Sequence, residues 1–182
     1  FVGTTAACAA GIALKPALMA KEEEKHIPIG FQLYTVRGEF SRDVPGTLKK
    51  LAEIGYQAVE FWGYDGEPNV YQKYSAKELR KMLNDCGLKC CGMHLNLKAL
   101  AKDNLQQTIE NNRVLGSQYL NVAAAKEKMG SEKGIAELAD LLNARARDLK
   151  PHDMLTGYHA HPFDFEKIKG RFAWEWLFEK TS

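Results

Sequence analysis

From Ile27 onward, short apolar, β-prone runs alternate with longer amphipathic ones and recur about every thirty residues, the signature of successive parallel βα units. The runs predict strands over Ile29–Val36, Gln57–Gly63, Leu88–Leu95, Gln118–Ala124 and Met154–His161. Between them the 3.6-residue period predicts helices over Val44–Ile54, Ala76–Cys86, Leu97–Leu115 and Glu132–Leu149, with a fifth over Arg171–Lys180. Gly55, Gly87 and Gly116 each follow an amphipathic run, where a helix C-terminus favours a residue free to turn left-handed. Ser75, followed three residues later by Glu78, is a capping box for the second helix. Leu48, Leu51, Ala52 and Ile54 form one face of the first helix, as Ile135, Leu138, Ala139 and Leu142 do in the fourth.

Five such units fit either a doubly wound open sheet or a (β/α)8 barrel. Neither a G-x-G-x-x-G run nor a phosphate-binding P-loop occurs, so no motif supports a dinucleotide or triphosphate cradle. With 182 residues the chain is one domain or a piece of one. Twenty-five Lys and Arg against 23 Asp and Glu leave a net charge of +2, too weak an excess to drive nucleic-acid or membrane-surface binding by counterion release. The cysteines at 8, 86, 90 and 91 lack zinc-ribbon spacing and read as buried, inert thiols. If Cys90 and Cys91 lie in a strand, they face opposite sides.

The composition breaks sharply at Lys21, where an Ala-rich, almost uncharged stretch meets Lys21-Glu22-Glu23-Glu24-Lys25. The apolar run Ala6–Leu14 is far too short to span a bilayer but matches the core of a secretory signal, with Ala17-Leu18-Met19-Ala20 as an approximate cleavage site. Phe1-Val2 and the small residues after it resemble the stretch that follows the arginine pair of twin-arginine export signals. The expected organisation is a signal remnant and linker over 1–26, a periplasmic or secreted mature form without a membrane segment, and an α/β domain over 27–182.

Polar residues near strand ends carry the functional information. Gly157, His159 and His161 share one parity, so both imidazoles are expected on one side, near the strand end where barrel active sites are built. Two such histidines can share a divalent cation, or one can hold metal while the other bonds a substrate oxygen. His94 closes the third strand in the same way. Glu60 sits within Ala58-Val59-Glu60-Phe61-Trp62, where an unpaired buried carboxylate would cost several kcal/mol, so it requires a partner: a substrate hydroxyl, a metal-bound water, or a cation of the fold. Gln32 and Tyr34, near the end of the first strand, are expected to line the pocket or its rim. His26 and His152 fall in a linker and a turn.

The stretches Ile29-Gly30-Phe31-Gln32-Leu33-Tyr34-Thr35-Val36-Arg37, Leu51 to Phe61, and Gly157-Tyr158-His159-Ala160-His161-Pro162-Phe163-Asp164-Phe165 resemble the sugar phosphate isomerase/epimerase family of the xylose isomerase-like TIM barrel superfamily. The resemblance runs from Ile27 to Ser182. It implies the N-terminal five units of a (β/α)8 barrel that binds one divalent metal (Mn, Zn, Mg or Co) and moves a proton next to the carbonyl of a sugar or keto-sugar, through an enediolate. On this chain it implies His159 as metal ligand, His161 and Glu60 as catalytic groups, and His94, Gln32 and Tyr34 as substrate contacts. Inosose or keto-sugar dehydration on the same barrel, and a non-catalytic carbohydrate-binding module, stay open, as does homo-oligomerisation.

Overall fold

Each predicted βα unit pairs its strand with the next one in sequence. In the computed structural model, which describes residues 27–181, the strands β1 (Gly30–Gln32), β2 (Ala58–Tyr64), β3 (Lys89–Leu95), β4 (Tyr119–Val122) and β5 (Leu155–Tyr158) form one parallel sheet in the order β1-β2-β3-β4-β5. A doubly wound sheet reverses its strand order at a switch point; this sheet never does, and its strictly sequential order is that of a barrel wall.

The five longest helices among the described residues are α1 (Val44–Ile54), α2 (Ala76–Cys86), α3 (Lys102–Leu115), α4 (Glu132–Leu149) and α5 (Ala173–Lys180). Their ends are set locally. Asp43 accepts the Gly46 N–H at 2.9 Å to open α1, and the Ser75–Glu78 capping box opens α2. Gly55, Gly87 and Gly116 close α1, α2 and α3 in left-handed conformations. The core lies between sheet and helices, where Val59, Phe61, Met93, Leu95, Leu120 and Val122 are buried with Leu48, Leu79, Leu83, Leu115 and Leu138. Each such side chain contributes about 1.5–3 kcal/mol by leaving water.

Three local expectations need correction. The first strand ends at Gln32, and Leu33–Val36 is a 3-10 turn. The long third helix is broken at Ala101, with a 3-10 turn over Leu97–Leu100 before α3. Ile54 does not join the buried face of α1; it is 65% exposed in the last turn. The export-signal reading of residues 1–26 lies outside the described residues. Among the described residues no helix is long and apolar enough to cross a membrane.

The other face of the sheet carries the polar residues. Strand alternation puts Glu60, His94, Asn121 and Gly157 on it, and His94, Asn121 and Gly157 stand in one row across β3, β4 and β5. On the same face, nearer the strand starts, Tyr119 and Leu155 pair side by side and are 51% and 61% exposed.

Candidate active site

Glu60 is the anchor of the site. Its Oε2 accepts a 2.7 Å hydrogen bond from Gln32 Nε2 and lies 3.4 Å from His94 Nε2. Gln32 in turn accepts the Tyr34 N–H at 3.0 Å through Oε1, so the 3-10 turn after β1 orients the amide that holds the carboxylate. The arrangement depends on Gly92, which pairs with Glu60 across β2 and β3. A Cβ there would come within 2.6 Å of Glu60 Oε1, so Oε1 occupies space that only glycine leaves. Between Val59 and Glu60 the register of β3 slips by one residue, and the bulge falls at Cys91.

His94 begins a chain of rings. Its imidazole is centred 4.7 Å from that of His159, which is 4.9 Å from that of His161; His161 stacks on Phe163 at 5.1 Å, nearly parallel. Burial pushes His94 below the ordinary histidine pKa; the Glu60 carboxylate opposes that, and the two neighbouring imidazoles add to it. His161 Nδ1 is buried with no hydrogen-bond partner.

The segment holding the last two histidines is tied down by a residue pair. The Tyr158 hydroxyl donates to Asp164 Oδ1 at 3.0 Å and accepts the Ala125 N–H at 3.2 Å, while Asp164 Oδ2 accepts the His161 N–H at 2.7 Å. Asp164 is fully buried, and desolvation, reinforced by this carboxylate, holds the Tyr158 phenol far above its ordinary pKa.

The structure thus brings together Gln32, Glu60, His94, His159 and His161. Tyr34 sits on the rim, 52% exposed, with its ring edge-on to Trp62 and beneath the Arg37 guanidinium. The parity expected for the last two histidines meets a real boundary, since β5 ends at Tyr158 and His161 opens a 3-10 turn, yet their rings remain neighbours. Of the two adjacent cysteines, Cys90 is buried, its thiol pushed up to about 12 by desolvation, whereas Cys91 is exposed. Sequence reasoning missed Asn121, whose Oδ1 lies where a Cβ on Gly157 would come within 2.8 Å. A polar residue at inward parity in an apolar strand was the available signal.

Among the described residues no three His, Cys, Asp or Glu side chains are grouped to hold a metal ion. Glu60 is engaged by Gln32 and His94, which leaves His159, exposed and with no side-chain hydrogen bond among the described residues, as one ligand rather than a centre.

No family model matches the sequence, and no curated protein matches it either. Solved structures do. The chain resembles two sugar phosphate isomerase/epimerase structures from Parabacteroides distasonis, at 20% and 22% identity with TM-scores of 0.74 and 0.66, and a family 2 AP endonuclease from Brucella melitensis, at 15% with 0.61. Each likeness covers 85% of this chain, and the chain spans 64%, 65% and 65% of those structures respectively. The fold is therefore α/β, five consecutive units of a TIM barrel.

Proposed function

We propose that the full-length protein is a sugar or sugar-phosphate isomerase or epimerase that moves a proton on the carbon next to a carbonyl. The observation that carries this reading is the Glu60–His94 contact at 3.4 Å, with Glu60 Oε1 facing the space left by Gly92. Gln32 and His94 both engage Oε2, so Oε1 is the oxygen free to take a proton from substrate carbon. Removal of that proton turns the carbonyl compound into an enediolate. In an isomerisation Glu60 returns the proton to the neighbouring carbon, while the hydroxyl proton passes from the oxygen that becomes the new carbonyl to the former carbonyl oxygen. In an epimerisation Glu60 keeps the proton it took and a second group gives another to the opposite face, and His161, at the far end of the imidazole row, is the acid the chain offers. His94, kept neutral at pH 7 by burial, can donate from one ring nitrogen at a time and so orients the carboxylate or a substrate oxygen.

A divalent ion, with His159 as the ligand this chain contributes, would supply carbonyl polarisation. The described residues do not form the rest of such a centre, and none of the steps above depends on it. Export through the segment over Phe1–Ala20 belongs to the same proposal, with a periplasmic location for the mature protein.

The test is product analysis by NMR after the full-length protein is incubated with a panel of ketoses, keto-inositols and their phosphates. The expected product is an isomer or epimer. A dehydrated product would replace this reading with the lyase one, and cleavage of an abasic-site duplex without any sugar turnover would overturn it.

A further inference from the structure

Beyond Glu60, strand β2 leads into a second cavity. Trp62 lies two residues further on, about 7 Å along the strand and at the same parity. It lines a cavity of about 520 Å³ together with Gly63, Asp65, Asn69, Tyr71 and Gln72. That volume falls within the roughly 300–1,000 Å³ of small-molecule sites. The hairpin Asn69–Tyr71/Tyr74–Ser75, which follows β2, precedes α2 and is not part of the barrel wall, forms one side of this open cavity. The Trp62 and Tyr71 rings are centred 5.0 Å apart, and Phe40 packs against both at 5.7 and 4.8 Å, so this aromatic wall is held rigidly. Opposite chemistry completes it. Asp65 is half-exposed and 3.8 Å from Lys98 Nζ, which pairs more closely with Glu67 of the same cavity at 2.6 Å, and Asn69 is exposed at the hairpin edge.

We infer that this cavity is a subsite for a second sugar ring, so that a glycoside or disaccharide is bound in preference to a lone monosaccharide. The inference rests on the sugar chemistry proposed above and extends it. A pyranose ring presents an apolar C–H face that suits an indole or phenol, and a rim of hydroxyls that suits carboxylate and amide groups; the cavity offers both kinds of surface. Its position beside Glu60, on the same strand and the same face, places the second ring next to the one that reacts.

The test measures affinities of the full-length protein by calorimetry and saturation-transfer NMR, with cellobiose, lactose and maltose as disaccharide probes and glucose, galactose and fructose as monosaccharide probes. The expected result is at least one disaccharide bound tenfold or more tightly than its component sugars, with saturation transfer to both rings. In Trp62→Phe and Asn69→Ala that ratio is expected to fall towards one. The second substitution, on an exposed edge, keeps the test valid if the aromatic cluster does not tolerate the first. Equal affinity for disaccharides and monosaccharides, or a ratio unmoved in both variants, overturns the subsite while leaving the sugar reading standing. Failure to bind any sugar overturns both.

Discussion

Glu60 and His94 meet across two strands, carboxylate Oε2 to imidazole Nε2 at 3.4 Å, on the polar face of the sheet. Both are largely withdrawn from solvent, with side chains 20% and 13% exposed respectively, so their charges are coupled more strongly than a surface pair's would be.

Gly92→Ala tests whether the space beside Glu60 matters. The new methyl would sit 2.6 Å from Oε1, and the end of the Glu60 side chain must swing away. We expect the fold to survive and kcat to fall by about 10²-fold, the scale of a lost general base, with a smaller change in KM. Circular dichroism and steady-state kinetics on the full-length protein check both halves.

His94 gives the protein a pH dependence whose sign can be worked out. Its folded pKa lies below the unfolded value, so the unfolded chain binds more protons as pH falls below about 6.5, and stability is lost in that direction. Melting temperatures between pH 7.5 and 5.5 should fall, less steeply in His94→Asn. Glu60→Gln removes the charge that supports the imidazolium and should move the His94 resonance, followed by NMR titration, to a still lower midpoint.

Tyr158→Phe removes the hydroxyl that joins Asp164 to the Ala125 backbone. Asp164 would keep its bond from the His161 N–H but lose a donor while fully buried. The expected cost is about 1–3 kcal/mol, read as a lower denaturant midpoint. The His159–His161 segment should also exchange its amide hydrogens faster.

Much of this structure was legible beforehand. The bounds of α1, α2 and α4 follow from punctuation that acts within a few residues, as with the Ser75–Glu78 box and the left-handed Gly55 and Gly87. Leu33–Val36 reads as β-prone, yet Gln32 accepts the Tyr34 N–H and turns the backbone into a 3-10 helix, a local competition that periodicity does not register. Glu60's need for a partner was visible from the apolar strand around it. The partner's identity was not, because it depends on the register between β2 and β3 and on the bulge at Cys91. The clasp of Tyr158 on Asp164 was hidden for a similar reason, since it requires the turn geometry after β5.

The two neighbouring cysteines offer a check on that register. Cys91, exposed although desolvation also raises its thiol, should be alkylated by iodoacetamide at pH 9, while Cys90, buried and with its thiol pushed up to about 12, should stay unmodified until the protein unfolds. Peptide mass spectrometry with and without denaturant distinguishes the two sites. Equal labelling of both in the native protein would contradict the strand register.

The central claim, that Glu60 moves a proton on the carbon next to a carbonyl, is tested most directly by solvent deuterium. The full-length protein is incubated in D2O with the sugar it converts, and deuterium at that carbon is followed by NMR. We predict deuterium incorporated at the carbon next to the carbonyl by the wild type, and its loss in Glu60→Gln with the fold intact. Undiminished labelling or undiminished conversion by the Glu60→Gln protein would contradict the account.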